Sequence, residues 1–146
     1  MQLEFICDVE LAYREEPLTG AKFQLVRPYG GEEGKGYGED DGTVTGPRLQ
    51  GHLRWVNHPH RRNDDIMLPD AHGIIVTNDH AVIMFTLQGR TFFEEGLGKQ
   101  LLSILFEAEA EPYRWLYTTL CVLEGLIDSE QLTMRARVYA CQSDLV

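Results

Sequence analysis

"QLEFICDVELAY", Gln2 to Tyr13, alternates its side chains with a period of two. Leu3, Phe5, Cys7, Val9, Leu11 and Tyr13 share one face, with Gln2, Glu4, Asp8 and Glu10 opposite. Successive side chains of an extended backbone point to opposite sides, so this is the pattern of a half-buried β-strand. The alternation returns at Met134, Ala136, Val138 and Ala140, set against Arg135, Arg137 and Tyr139. It also runs through "ILFEAEAE", where Ile104, Phe106, Ala108 and Ala110 alternate with Leu105 and three glutamates.

Further strands are expected at 21–27, 48–56, 68–77, 81–88 and 114–123, separated by Gly30-Gly31, Asp41-Gly42, Asn78-Asp79 and the glycines at 96 and 98. Asn78-Asp79, between two apolar runs, is a short-hairpin signal. "LGKQLLSIL", from Leu97, also fits the start of a helical turn. The segment 28–47, "PYGGEEGKGYGEDDGTVTGP", is dense in glycine and acid and is expected to be one long surface loop, or a lid over a barrel mouth. Its Gly34, Gly36 and Gly38 are not a dinucleotide fingerprint, because no strand-turn-helix follows to hold a pyrophosphate. About eight strands with short connections predict an all-β chain. The expected form is a single closed antiparallel β-barrel or a sandwich, one domain over 1–146.

Composition narrows the function classes. A net charge of −10 argues against nucleic acid, which needs clustered Lys and Arg, and Arg61-Arg62 is offset at once by Asp64 and Asp65. No apolar run reaches the ~18 residues of a spanning helix, and the start lacks a signal-peptide pattern, so no membrane and a cytoplasmic setting are expected. Cys7, Cys121 and Cys141 are odd in number and widely spaced, which suits small core residues in a reducing compartment.

The titratable residues gather in and after residues 56–65, "VNHPHRRNDD". Asp70 and His72 lie two apart and so on one face, in line with Ile74 and Val76. If that stripe turns inward, an aspartate and an imidazole stand at a pocket mouth, where the carboxylate can orient the ring and raise its basicity. If not, both are solvent-facing. His58 and His60 form an HxH pair with Asp64 beyond it, the arrangement a cupin-like metalloenzyme uses, though Pro59 separates the rings. The catalytic candidates are therefore His58, His60, Asp70 and His72. Arg54 and Arg61 are candidates for holding a developing oxyanion, and Arg90 for neutralising a ligand carboxylate or enolate. Trp55, Trp115, Tyr113 and Tyr117 either line an apolar cavity or fill the core. No GxSxG elbow supports a serine hydrolase.

In "GTVTGPRLQGHL" and "LPDAHGIIVTNDHAVI" the chain resembles the domain-of-unknown-function family 3237. The residues that carry the likeness are Gly46-Pro47, Leu49 and Gly51, then Leu68, Asp70, Thr77, Asn78, Asp79 and Ala81, then "YRWLYTTLCVLEG" and "RVYAC". The resemblance implies a small β-barrel like those of allene oxide cyclase and dirigent proteins, and small-molecule metabolism that includes cofactor-free ring closure of polyketide-like substrates. The chain departs from the family where "VNHPHRR" stands in place of Gly-Gly-x-Asp-Trp, and where His80 replaces a turn glycine.

Together these features lead to an expected cofactor-independent enzyme that cyclises, isomerises or eliminates on a hydrophobic oxygenated small molecule. Asp70 would orient His72, and His72 or His60 would move the proton. The alternatives are a carrier barrel without chemistry and the His58/His60 metalloenzyme. Barrels of this type often assemble through their outer faces, which allows a homodimer that no motif specifies.

Overall fold

The computed structural model describes residues 1–31 and 33–145. Among the described residues eleven strands follow in chain order: β1 (Gln2–Tyr13), β2 (Phe23–Val26), β3 (Gly34–Thr45), β4 (Gly51–Asn57), β5 (His60–Arg61), β6 (Met67–Leu68), β7 (Asp70–Thr77), β8 (Val82–Glu94), β9 (Leu97–Ala108), β10 (Cys121–Asp128) and β11 (Thr133–Gln142). A 3-10 helix, Glu111–Thr118, separates β9 from β10. Eight of the strands pair antiparallel in the ring β1-β11-β10-β9-β8-β7-β4-β3, which closes through β3 onto β1. Closure leaves this ring without an edge to pair with another chain.

Parity along each strand fills the barrel. β8 sends Ile83, Phe85 and Leu87 inward, β9 sends Leu102, Ile104 and Phe106, and β11 sends Met134, Ala136, Val138 and Ala140. Across the middle, the Trp55, Phe85 and Phe106 rings meet edge to face, with centroids 6.4 and 6.0 Å apart. Gly73 has no side chain because the Phe85 ring lies over it. The far end is stoppered by the 3-10 helix, whose Leu116 is fully buried.

Several expectations change. The alternation of β1 breaks at a bulge between Phe5 and Cys7, so Ile6 and Cys7 are both inside while Leu3 and Phe5 face out. The stretch 28–47 is not one long loop: from Gly34 to Thr45 it is β3, a barrel strand pairing with both β1 and β4. Glycine and aspartate are poor strand formers, which masked it, yet Gly34, Gly36, Gly38 and Asp40 share one inward face. The expected strand at 114–123 is half helix, since Pro112 lacks a ladder N–H and suits a helix start. From Leu97, "LGKQLLSIL" is β9 and not a helical turn.

The short hairpin expected at Asn78-Asp79 is present, joining β7 to β8 through a three-residue loop at 78–80. The Thr77 N–H donates to the Ala81 carbonyl, the Ala81 N–H donates to Thr77 Oγ1, and His80 takes a left-handed φ of 69°. A side chain there carries a cost that glycine avoids. His80→Gly is expected to stabilise the fold by about 1 kcal/mol, read as a raised midpoint in urea with an unchanged slope.

Three short strands build a collar on the open end. β2 continues along β3 where β1 stops, β5 continues on its other side where β4 stops, and β6 joins β5 to β8. Among the described residues, no helix is long and apolar enough to cross a membrane.

Candidate functional site

Within the collar lies a cavity of about 460 Å³. Phe23, Leu25, Pro59, Met67 and Phe93 are among its apolar lining, and Tyr13, Asn57, Arg61, Thr91, Gln100 and Ser129 among its polar points. The glycines of β3 make this possible. A Cβ on Gly36 would fall 2.5 Å from the Phe23 ring and 3.0 Å from Pro59, and one on Gly38 would fall 3.3 Å from Phe23. Missing side chains on the strand are thus the space into which the collar rings fold.

Next inward on the same face is Asp40, only 5% exposed. Its cross-strand neighbours are Tyr13 on β1 and Trp55 on β4. The Trp55 Nε1–H donates to Asp40 Oδ2, and among the described residues Oδ1 has no hydrogen-bond partner. Burial pushes this carboxyl up to about 7; the Trp55 bond opposes the shift and the Asp41 charge adds to it. Near neutral pH Asp40 is therefore an acid that can hold or release a proton. Tyr13 is pushed upward by burial and by Asp40, which keeps it a neutral phenol. Gln100, also 5% exposed, donates from Nε2 to Thr91 Oγ1 at 2.9 Å.

The candidate residues named from the sequence are mostly elsewhere. β7 turns Ala71, Ile75 and Thr77 inward, so Asp70, His72, Ile74 and Val76 line the outer face, against the inward expectation. His72 Nε2 is 3.8 Å from Asp70 Oδ1, and its side chain is 67% exposed. Pro59 takes the inward position between the two histidines, which sends both rings outward. His58 packs edge to face on Tyr37, and His60 meets Glu33 at 3.0 Å. Asp64 pairs with Arg62. Among the described residues, no three His, Cys, Asp or Glu side chains gather as a metal site.

Arg54 lies outside, paired with Asp41, and Arg90 is exposed and donates to the Gly89 carbonyl. Trp115 and Tyr117 belong to the helix at the opposite end, where Arg48 stacks 3.6 Å over the Trp115 ring. Two named positions do meet the site: Trp55 holds Asp40, and Arg61, bonded to Asp65 at 2.6 Å, lines the cavity. Cys7 and Cys121 are buried, and burial pushes each thiol up to about 12, far from a reactive thiolate.

The sequence reading missed Asp40 and Gln100. Both were accessible by parity: Asp40 continues Gly34, Gly36 and Gly38, and Gln100 precedes Leu102, Ile104 and Phe106 at the same spacing.

Comparison with solved structures places the chain among small β-barrels. A beta-barrel like protein from Acinetobacter baumannii superposes with a TM-score of 0.81 at 14% identity, over 97% of this chain and 96% of that one. A protein of unknown function from Clostridium acetobutylicum gives 0.80 at 14% identity, over 97% and 100%. An enzyme from Penicillium herquei gives 0.66 at 20% identity, over 94% and 93%. At these identities the likeness is one of fold. No family model matches the chain, and no curated protein does.

Proposed function

We propose that this barrel is a cofactor-independent acid–base enzyme whose proton carrier is Asp40, acting on a hydrophobic oxygenated small molecule held in the collar cavity. The observation that carries the reading is a buried carboxyl raised to about 7, paired across the sheet with Tyr13, which lines the apolar cavity. A group poised near ambient pH both gives and takes a proton readily. Asp40 donates its proton to the substrate, and the resulting carboxylate takes back the proton that the substrate releases. Ring closure or isomerisation is then mass-neutral, and elimination loses water. The resemblance to family 3237, with its ring closure of polyketide-like compounds, and the fold shared with an enzyme from Penicillium herquei support this choice of chemistry.

The test uses a panel of hydroxyaryl ketones bearing enone or prenyl arms, incubated in ordinary and heavy water and followed by mass spectrometry. Turnover with deuterium incorporation is expected, with a loss of at least ~100-fold in Asp40→Asn while Nile red binding persists. Wild-type turnover in Asp40→Asn would overturn the assignment. His60→Ala and His72→Ala are expected to stay within about 2-fold of wild type, because both rings lie outside the barrel wall. A carrier would bind Nile red and convert nothing in the panel.

A further inference from the structure

The outer wall of the barrel carries charge along several strands: β1 presents Asp8 and Glu10, and β11 presents Arg135 and Arg137. β7 and β8 differ. Their outward positions include Ile74, Val76, Val82 and Met84, joined by Leu105 of β9, each between 36% and 56% exposed. Register makes these one surface: Val76 pairs with Val82, Ile74 with Met84, and Thr86 stands between His72 and Leu105. Leaving five large apolar side chains in water forgoes burial that a docked surface would recover. The patch lies toward the stoppered end, where Tyr113 of the 3-10 helix donates to Asp79 in the loop after β7, so a molecule seated on it leaves the collar open.

We infer that this face seats a second copy of the chain, packed about a twofold axis that runs along the strands between β7 and β8. Three observations select that occupant. First, Arg54, Ile74, Met84 and Glu107 form one row across β4, β7, β8 and β9. The axis turns this row end for end, so Ile74 faces the partner's Met84, and Arg54 lies on the side of the partner's Glu107 at both rims. Among the described residues Glu107 has no ion pair within its own chain. Second, the chain carries a net charge of −10, so two copies repel least where neither presents a carboxylate; the apolar patch with His72 and Thr86 holds none. Third, these residues with the two rim charges expose on the order of 800 Å², the share that one copy contributes to a standard interface.

The test is sedimentation velocity of the whole chain from about 0.1 to about 50 µM. A concentration-dependent rise to twice the 16.6 kDa chain mass is expected. Met84→Glu should weaken self-association at least ~100-fold, because the twofold contact would then bury two unpaired carboxylates. Leu3→Glu alters a residue as exposed as Met84, on β1 across the ring from β8, and should dimerise like the wild type. Peroxide footprinting reads the same face without a substitution. Oxidation of Met84 should slow in proportion to the fraction of chain in the dimer, while Met1, 80% exposed, reacts alike at every concentration. A wild type that keeps the single-chain mass at the highest concentration would overturn the inference. So would a dimer whose Met84 oxidises at the single-chain rate, or one that Leu3→Glu disrupts as strongly as Met84→Glu.

Discussion

Asp40→Asn should melt higher than the wild type at about pH 9 and at the same temperature below about pH 3.5. The folded carboxyl sits at about 7 against 3.8 for an ordinary aspartate. As pH rises from the lower value, the unfolded chain gives up this proton first, so stability falls until the folded carboxyl also ionises, and is flat above. Across that window of about three units the loss approaches 4 kcal/mol at most, or on the order of 10 °C in Tm for a domain of this size. Asparagine keeps the acceptor for the Trp55 N–H and carries no charge to desolvate, so it should show none of this decline. The stabilised variant should be the inactive one, and a wild-type acid limb should fall as pH climbs through about 7. Parallel Tm curves for the two proteins from acid to alkaline pH would show that Asp40 titrates normally and is not the buried acid. A residue retained at a cost to stability is the expected signature of a functional site.

Gly42→Ala should open the barrel. Gly42 pairs with Leu11 across the β1–β3 seam that closes the ring, and a Cβ there would overlap the Glu10 carbonyl, well inside van der Waals contact. The obstacle is backbone of a paired strand, which cannot swing aside as a side-chain tip can. A loss of roughly 3 kcal/mol or more is expected, seen as a Tm drop on the order of 10 °C and faster amide exchange in β1 and β3. Gly31→Ala, where nothing lies within 4 Å, is the matched control and should change little. If the two substitutions cost the same, the seam is not where closure is decided.

Both predictions concern β3, the element least visible in the sequence. Strands with apolar parity, such as β11 with Met134 to Ala140, were legible because burial and period coincide. β3 carries the same parity, but its inward residues are glycines and an aspartate, and hydrophobicity does not report a position kept empty for a ring from elsewhere. Phe23 and Pro59, far from β3 in sequence, are what make those glycines necessary.

The site divides along the same line. The clustering of His58, His60, Asp70 and His72 is real in sequence, but parity sets Pro59, Ala71 and Ile75 inward and leaves the ionisable groups on the outer wall. Trp55 was named from the sequence as a cavity or core aromatic, and the structure adds that it holds Asp40.

Local alternation was enough for the all-β class, the approximate strand number and the inward faces of β9 and β11. Only the tertiary structure decided that the chain closes on itself, that the glycine-rich stretch is a wall of the barrel, and that its buried acid is Asp40. A pKa shift comes from desolvation, and desolvation depends on which distant rings cover the carboxyl.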